Sequence, residues 1–337
     1  MPFLPYLHRV AERQSLSAAE ARDAMQGILE GRVSPPQIAA FLTALRMKGE
    51  TVDELVGFAR AMRHMAVPVD PQLNGEPLLD TCGTGGDGQS TFNISTIVAF
   101  VVAGAGVRVA KHGNRSLSSQ CGSADLLESL GITVPVPAEQ VARAIREIGI
   151  GFLFAPAMHT AMKHAQPVRA ELKMRTVFNL LGPLTNPAGA TAQLVGAPSE
   201  HAAELMAGAL AQLGLERGFV VHGSDGLDEI TTTGPTLAFE IHAGSVERRT
   251  ISPDDFGVSR AEPSVLKGGD REANAAIARV ILGGAAGPQR DIVLVNASAA
   301  LVAAGKAADF RKGMQIARQS IDSGAAWHKV VALARFR

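Results

Sequence analysis

Aromatic side chains are scarce in this chain: they make up 4% of its 337 residues, with one tryptophan and one tyrosine. Proteins that hold single-stranded nucleic acid stack bases on aromatic rings, so that class is disfavoured at once. An excess of either charge is missing too. Lysine plus arginine and aspartate plus glutamate stand at 32 each, which leaves no global basic field for a phosphate backbone. Cys82 and Cys121 are the two cysteines, far apart and without metal-ligand spacing. They argue against a disulfide scaffold, and the simplest expectation is a pair of small reduced residues in a cytoplasmic protein. Long apolar runs are also lacking. The longest, 97–107, is interrupted by glycines and too short to span a bilayer. The opening MPFLPYLHRVAERQ holds no apolar core of signal-peptide length. Partners of the membrane and nucleic-acid classes are therefore not expected.

What is present suits a globular protein. Hydrophobic residues are 46% and charged ones 19%, enough to bury a core in one large or two moderate domains. Residues 15–65 carry helix punctuation. Ser17 with Glu20, Ser34 with Gln37 and Thr51 with Glu54 fit the capping-box spacing, and Pro35 stands at a first helical position. Apolar residues recur at helical intervals behind each cap: Met25, Ile28 and Leu29; Ile38, Phe41 and Leu45; Leu55, Ala59 and Met62. Three short amphipathic helices forming a bundle are predicted, with core or subunit contact as their role.

The stretch 67–77, with three prolines and a glycine, reads as a linker. Beyond it short apolar runs alternate with helical stretches. Strands are predicted at 78–82, 107–110, 151–155, 192–196, 218–222 and 291–295, and helices at 95–104, 123–130, 138–148, 200–213 and 271–283. TLAFEIHAG and SVERRTI add two probable strands nearer the C-terminus. Such alternation predicts an α/β fold, a mainly parallel sheet flanked by helices, with ligands at the carboxyl ends of its strands.

The rest of the chain is organised around 80–123. A predicted strand empties into GTGGDG (83–88), whose four glycines allow a close backbone approach to a ligand. Asn93, Ser95 and Thr96 then stand at a helix start, where unpaired N–H groups favour an anion. The next strand empties into KHGNRSLSS (111–119), dense in cationic and hydroxyl donors. Neither loop is a Walker A motif or a convincing dinucleotide fingerprint. Together, at neighbouring strand ends, they point to a ligand with more than one phosphate.

Two later segments bear on the same site. The stretch 157–181 reads as a helix broken at Pro167. On it His159, Lys163, Gln166 and Arg169 share a face if the proline only kinks the helix. A fork-shaped guanidinium such as that of Arg169 pairs with a carboxylate in bidentate fashion. In VVHGSDGLDEITTTGPT (220–236), Asp228 and Glu229 follow a predicted strand. Adjacent carboxylates are usually solvated surface, but beside a polyphosphate they fit Mg²⁺, which takes few carboxylates plus phosphate oxygens and water.

GTGGDG with NIST, KHGNRSLSS, PVRAEL, FNLLGPLTNPA and HGSDGLDEITTTGPT, in this order through the whole chain, resemble the anthranilate phosphoribosyltransferase family. The resemblance implies a small all-α domain joined to a larger α/β domain, the class that pyrimidine nucleoside phosphorylases also use. It implies residues 1–70, with about 159–186, as the helical, dimer-forming domain, and 71–158 with 187–337 as the α/β domain. It further implies a homodimer, two Mg²⁺ ions per subunit, and transfer of the phosphoribosyl group of phosphoribosyl pyrophosphate to anthranilate, the second step of tryptophan biosynthesis.

Carried over position by position, Gly83, Gly86, Asp87 and Thr91 line the phosphoribosyl pyrophosphate site. Asn93, Ile94, Ser95 and Thr96 hold phosphate oxygens at the helix start. Lys111, His112, Gly113, Asn114, Arg115, Ser116, Leu117, Ser118, Ser119 and Ser123 wrap the pyrophosphate and ribose. Gly83, Asn114 and Arg169 orient anthranilate, with His112, Pro156 and His159 as pocket walls. Ser95, Asp228 and Glu229 hold the metal. No catalytic nucleophile–base dyad is expected, since positioning and charge stabilisation suffice for an already nucleophilic arylamine. Two alternatives stay open at this point. One is a nucleoside phosphorylase of the same fold; the other is a non-enzymatic nucleic-acid-binding relative.

Overall fold

A computed structural model describes residues 3–85, 89–116 and 120–337. The chain opens with four helices, α1 (Leu4–Ala11), α2 (Ala18–Leu29), α3 (Pro35–Lys48) and α4 (Val52–Met65). The capping residues act as their types dictate. Ser17 and Glu20 close a reciprocal box at α2, and Thr51 and Glu54 close one at α4. Glu54 is wholly buried and also accepts from the Leu16 N–H (3.0 Å) and from Lys48 Nζ (2.9 Å), tying three helix ends together. Phe41 packs edge-on to Phe3 and Phe58 at the bundle centre. Helix α1 was not among the predicted helices; its prolines and short length hide its period.

The sheet is built from β1 (Leu78–Gly83), β2 (Arg108–Gly113), β3 (Ile150–Phe154), β4 (Ala192–Gly196), β5 (Arg217–Gly223), β6 (Thr236–His242) and β7 (Ser245–Ile251). Their spatial order is β3-β2-β1-β4-β5-β6-β7. The first five run parallel, and β6 and β7 are antiparallel. The chain moves outward from β1 to β2 and β3, then returns to the other side of β1 at β4. That reversal makes β1 the topological switch point, where α/β sheets hold ligands at their carboxyl edge.

Helices α5 (Ile94–Gly104), α6 (Ser123–Ser129) and α7 (Ala138–Ile148) link the first three strands. Short α8 (Ala155–Met158), a 3-10 turn over Thr160–His164, α9 (Gln166–Leu172) and α10 (Phe178–Leu181) follow β3. Helix α11 (Glu200–Gln212) joins β4 to β5. After β7 come α12 (Pro253–Phe256), α13 (Arg271–Leu282), α14 (Pro288–Ala303), α15 (Phe310–Asp322) and α16 (Ala325–Arg335).

Burial explains why the strands read as continuous apolar runs. On one face Leu79, Val109, Leu194 and Phe219 pack with α5 and α14. On the other, Cys82, Val195 and Val220 pack with α11 and the N-terminal bundle, a core that also takes in Val168, Phe178 and Leu184.

Two expectations fail. The run 291–295 is not a strand but lies in α14. That helix is buried from Ile292 to Leu301, so no polar face breaks its apolar run and it looks like a core strand in sequence. The stretch 157–181 is not one kinked helix. Pro167 opens α9 at its first turn instead of breaking a longer helix, so His159, Lys163, Gln166 and Arg169 do not share one helical face. Both cysteines are free, as expected, and both are also buried. Among the described residues no helix is long and apolar enough to cross a membrane.

Candidate active site

Strand β1 ends at Gly83, and the loop after it is met by the segment after β5, two strands away. A Cβ on Gly83 would lie 2.6 Å from Asp228 Oδ2 and would push the carboxylate from its present place. The Gly85 N–H donates to the same Asp228 oxygen at 2.9 Å. Beneath, a Cβ on Gly196 of β4 would stand 1.6 Å from the Asp228 carbonyl oxygen. The predicted glycine loop and one of the predicted metal-binding carboxylates are thus in direct contact. Gly86, Asp87 and Gly88 lie outside the described residues.

The Asp228–Glu229 turn is clamped from two sides. Asp225 Oδ2 accepts from the Thr231 and Thr233 hydroxyls (2.5 and 2.6 Å). Asn296 on α14 grips the Ile230 peptide at both its groups, Oδ1 accepting from the N–H and Nδ2 donating to the carbonyl, each at 2.9 Å. Among the described residues no three His, Cys, Asp or Glu side chains gather to hold a metal alone. Two carboxylates at a loop leave most coordination positions to ligand oxygens and water, the arrangement Mg²⁺ prefers. The donor set fits magnesium.

Thr91 pairs in an isolated antiparallel bridge with Lys267. The next turn opens α5 at Ile94, with Ser95 half-buried and Thr96 buried in its first turn. Thr81 Oγ1 donates to the Ser95 carbonyl (2.9 Å), fixing that turn to β1. Asn93 precedes the helix, and its side chain serves the second loop: Nδ2 donates to the Cys121 carbonyl (3.1 Å), while Oδ1 accepts from Asn274 (3.0 Å).

The second loop leaves β2 at Gly113 and re-enters helix at Ser123, the first residue of α6. Lys111 is buried, its Nζ donating to the His112 carbonyl (3.3 Å). Asn114 folds back so that its Oδ1 accepts from the Arg115 N–H (2.7 Å) and its carbonyl from Ala124 (3.2 Å). Asp125 gathers the two ends, its Oδ2 accepting from the Ser116 N–H (3.1 Å) and the Gly122 N–H (2.8 Å). Arg115 forks onto Glu128 (2.7 and 2.6 Å) and reaches Asp125 (3.3 Å). Leu117, Ser118 and Ser119 lie outside the described residues.

His112 and His159 bring the sheet edge against the segment after β3, their ring centroids 5.2 Å apart. Both rings are buried, and burial is the first cause that pushes their pKa values down, to about 3 and about 4. Each is neutral at pH 7. His112 Nδ1 lies 3.2 Å from the Gly182 carbonyl; since a carbonyl only accepts, Nδ1 carries the proton and Nε2 is left as an acceptor. Nε2 of both rings is buried without a partner among the described residues. Pro156 lies exposed on α8, one residue after its start. Arg169 stands with its guanidinium 5.2 Å above the Phe178 ring and donates to Gln166 (3.4 Å); burial lowers its pKa.

Sequence reasoning passed over three residues that shape this edge: Asp80, Asn186 and Asp125. Only Asp125 carried a local signal, an acidic residue three positions after the cap Gly122.

Comparison with known proteins gives one picture. Residues 75–327 match the α/β-domain model of the glycosyl transferase family, and residues 4–66 match its helical-bundle model. The chain is 73% identical over 336 residues to the anthranilate phosphoribosyltransferase of Solibacter usitatus, covering 100% of this chain and 99% of that one. It is 55% identical over 328 residues to that of Moorella thermoacetica, with 97% and 96% covered. The solved structure of the Thermus thermophilus protein of that name superposes with a TM-score of 0.93 at 45% identity, covering 98% of each chain. That of the Saccharomyces cerevisiae protein in complex with PRPP and Mg gives 0.89 at 29% identity, covering 98% of this chain and 96% of that one.

Proposed function

Because this chain belongs to the anthranilate phosphoribosyltransferases of the glycosyl transferase family, we propose that its two strand-end loops carry out that family's reaction. The phosphoribosyl group of phosphoribosyl pyrophosphate passes to the amine of anthranilate, giving N-(5-phosphoribosyl)anthranilate and pyrophosphate, a step of tryptophan biosynthesis. The observation that carries the reading is the contact of the glycine loop with Asp228, which sets backbone donors and carboxylates side by side at the switch point.

In this reading the carbon–nitrogen bond forms at C1 of the ribose as the bond from C1 to the pyrophosphate oxygen breaks, through a transition state of oxocarbenium character. The α5 N-terminus with Asn93, Ser95 and Thr96, the glycine loop, and Lys111 to Ser119 with Ser123 bind the phosphates. Asp228 and Glu229, with Ser95, would hold two Mg²⁺ ions; magnesium, when bound, supplies charge neutralisation for the departing pyrophosphate. Anthranilate lies with its carboxylate toward Arg169 and its amine toward the histidine pair, with Asn114 and Pro156 beside it. An arylamine is neutral and nucleophilic at pH 7, so the site needs alignment more than a strong base.

A division into a helical part, 1–70 with about 159–186, and an α/β part, 71–158 with 187–337, belongs to the same reading, although one core joins the helical part to β4, β5 and α11. Val168, Val177, Phe178 and Leu184 share one core with the N-terminal helices. A homodimer formed through the helical part belongs to the same proposal, as does a cytoplasmic site of action.

The direct test mixes purified protein, anthranilate, phosphoribosyl pyrophosphate and Mg²⁺ and follows the loss of anthranilate fluorescence. Loss that requires every component is the expected result. Folded protein that leaves anthranilate untouched and instead cleaves thymidine or uridine with free phosphate would turn the reading to a nucleoside phosphorylase.

A further inference from the structure

Strands β1 and β2 carry the two substrate loops, yet they barely pair with each other. Their ladder consists of Leu78↔Arg108 and Leu79↔Val109 and stops there. Each then continues with its outer neighbour, β1 with β4 as far as Gly83↔Gly196 and β2 with β3 as far as Gly113↔Phe154. Continued in register, the next residue of β1 facing Ala110 would be Asp80. Backbone groups of β2 that face this gap still need partners, because a buried N–H or C=O left unpaired loses its hydrogen bonds to water without replacement.

Two side chains fill the gap. Asp80, wholly buried, accepts from the His112 N–H through Oδ1 at 3.0 Å. Its Oδ2 accepts from Asn186 Nδ2 at 2.7 Å, and the same amide donates to the Ala110 carbonyl at 2.9 Å. Asn186 cannot turn over, since its Oδ1 is taken by the Ala188 N–H at 2.9 Å. The segment carrying Asn186 is held again by Gln193, which is paired with Asp80 across β1–β4 and donates to the Pro183 carbonyl (2.9 Å). His112 Nδ1 holds the Gly182 carbonyl as well.

We propose that Asp80, acting through Asn186, is a positioning residue that replaces the missing β1–β2 ladder and sets the separation of the two substrate loops. The carboxylate touches no substrate. It keeps the strands apart at their carboxyl ends while leaving each loop's own ligand groups intact. The inference rests on the placement of substrates in those loops given above.

The polarity of the pair makes it testable. Asp80→Asn turns an amide N–H₂ toward either the Asn186 N–H₂ or the His112 N–H. Asn186→Asp removes the donor from the Ala110 carbonyl. Each variant is expected to lose about a hundredfold in kcat/KM, the scale of an ångström-size misalignment. The loss should fall mainly on kcat, with KM for each substrate changed less than about fivefold, because alignment rather than ligand contact is damaged. The exchanged pair, Asp80→Asn with Asn186→Asp, is expected to stay as impaired as the single variants, since Ala110 still lacks its donor. Recovery of the exchanged pair to near parental rates would overturn the proposal, as would a loss confined to the KM of one substrate.

Native-state hydrogen exchange on the parent protein needs neither folded variants nor activity. The His112 and Ala188 amides donate to the two ends of this unit, so they should share one opening free energy and one denaturant dependence. Independent openings would also overturn the proposal. If the parent fails to transfer the phosphoribosyl group while these amides open together, the function assigned to the loops fails and the coupling stands.

Discussion

At one edge of the sheet, β5, β6 and β7 pair along their full lengths, from Arg217↔His242 to Gly223↔Thr236 and from Thr236↔Ile251 to His242↔Ser245. At its centre β1 and β2 share two pairs and then part. The first arrangement satisfies the backbone with itself and leaves side chains little to do but pack or face water; all but the last residue of β7 are exposed. The second leaves backbone groups to be satisfied by side chains, and around it lie the glycine loop, the basic loop, the paired histidines and a buried carboxylate. The proposed site collects where the sheet is incomplete. Substitutions should therefore be costly at the centre and nearly silent at the edge.

The sharpest break in that contrast is Gly196→Ala. The new methyl would overlap the Asp228 carbonyl oxygen at 1.6 Å, and backbone on both sides leaves no flexible group to yield. The Asp228 turn must lift off the strand ends, and kcat/KM should fall by about a hundredfold or more. Steady-state kinetics, with circular dichroism confirming the fold, would show it; near-parental activity would mean that the turn's seat on β4 does not matter. Next comes Arg169→Ala. A charge-assisted hydrogen bond is worth roughly 1.5–3 kcal/mol, so KM for anthranilate should rise at least about tenfold while that for phosphoribosyl pyrophosphate changes less than about twofold. Equal losses for both would remove Arg169 as the carboxylate clamp. For Asp228→Asn, the Mg²⁺ concentration giving half-maximal rate should rise about tenfold. An unchanged titration would take Asp228 out of the metal site.

How much of this could be read in the sequence follows the same line. Both loops were legible because glycine runs and KHGNRS are unusual wherever they occur, and Asp228–Glu229 because a strand precedes them. The strands of the parallel part were found within one to three residues, since burial on both faces leaves a plain apolar run. Burial on all sides misled in the same way at Ile292–Leu301, where a helix without a polar face was read as a strand. Asp80 and Asn186 lie in stretches the sequence singles out, but nothing there marks either as a partner of the other. Each is an ordinary residue type, their contact spans 106 positions, and what makes them matter is a gap in strand pairing that no local pattern encodes. The histidine pair was half legible: His112 sits in a motif, but only folding brings His159 to it.

The acid side of the stability curve offers a subtler contrast. In the unfolded chain His112 and His159 titrate near 6.5, while burial holds them at about 3 and about 4 in the fold. Between those values the unfolded state binds more protons, so stability falls as pH drops from about 6.5 toward 3–4 and is unaffected by these two groups above that window. Thermal melting of the parent should decline through that range. His112→Gln should flatten the decline, and a curve of unchanged slope would show that His112 takes up its proton as readily in the fold as in the unfolded chain.

The smallest effect is expected at the fully paired edge. Arg248 on β7 reaches Glu200 at 3.5 Å, with the two side chains 66% and 67% exposed. Coulomb attraction there is screened by water, and ordering two long side chains costs about as much as it gains, so such pairs contribute roughly 0–1 kcal/mol. Arg248→Ala should leave the melting temperature within about 2 °C, given the few degrees that 1 kcal/mol moves a chain of this size, and kcat/KM within experimental scatter. The backbone ladder of β6 and β7 remains whole without that guanidinium, whereas between β1 and β2 the ladder stops at Leu79↔Val109 and Asp80 bonds to the backbone beyond it. A drop of many degrees would mean that β7 is held by its side chains after all, and the contrast between the two parts of the sheet would collapse.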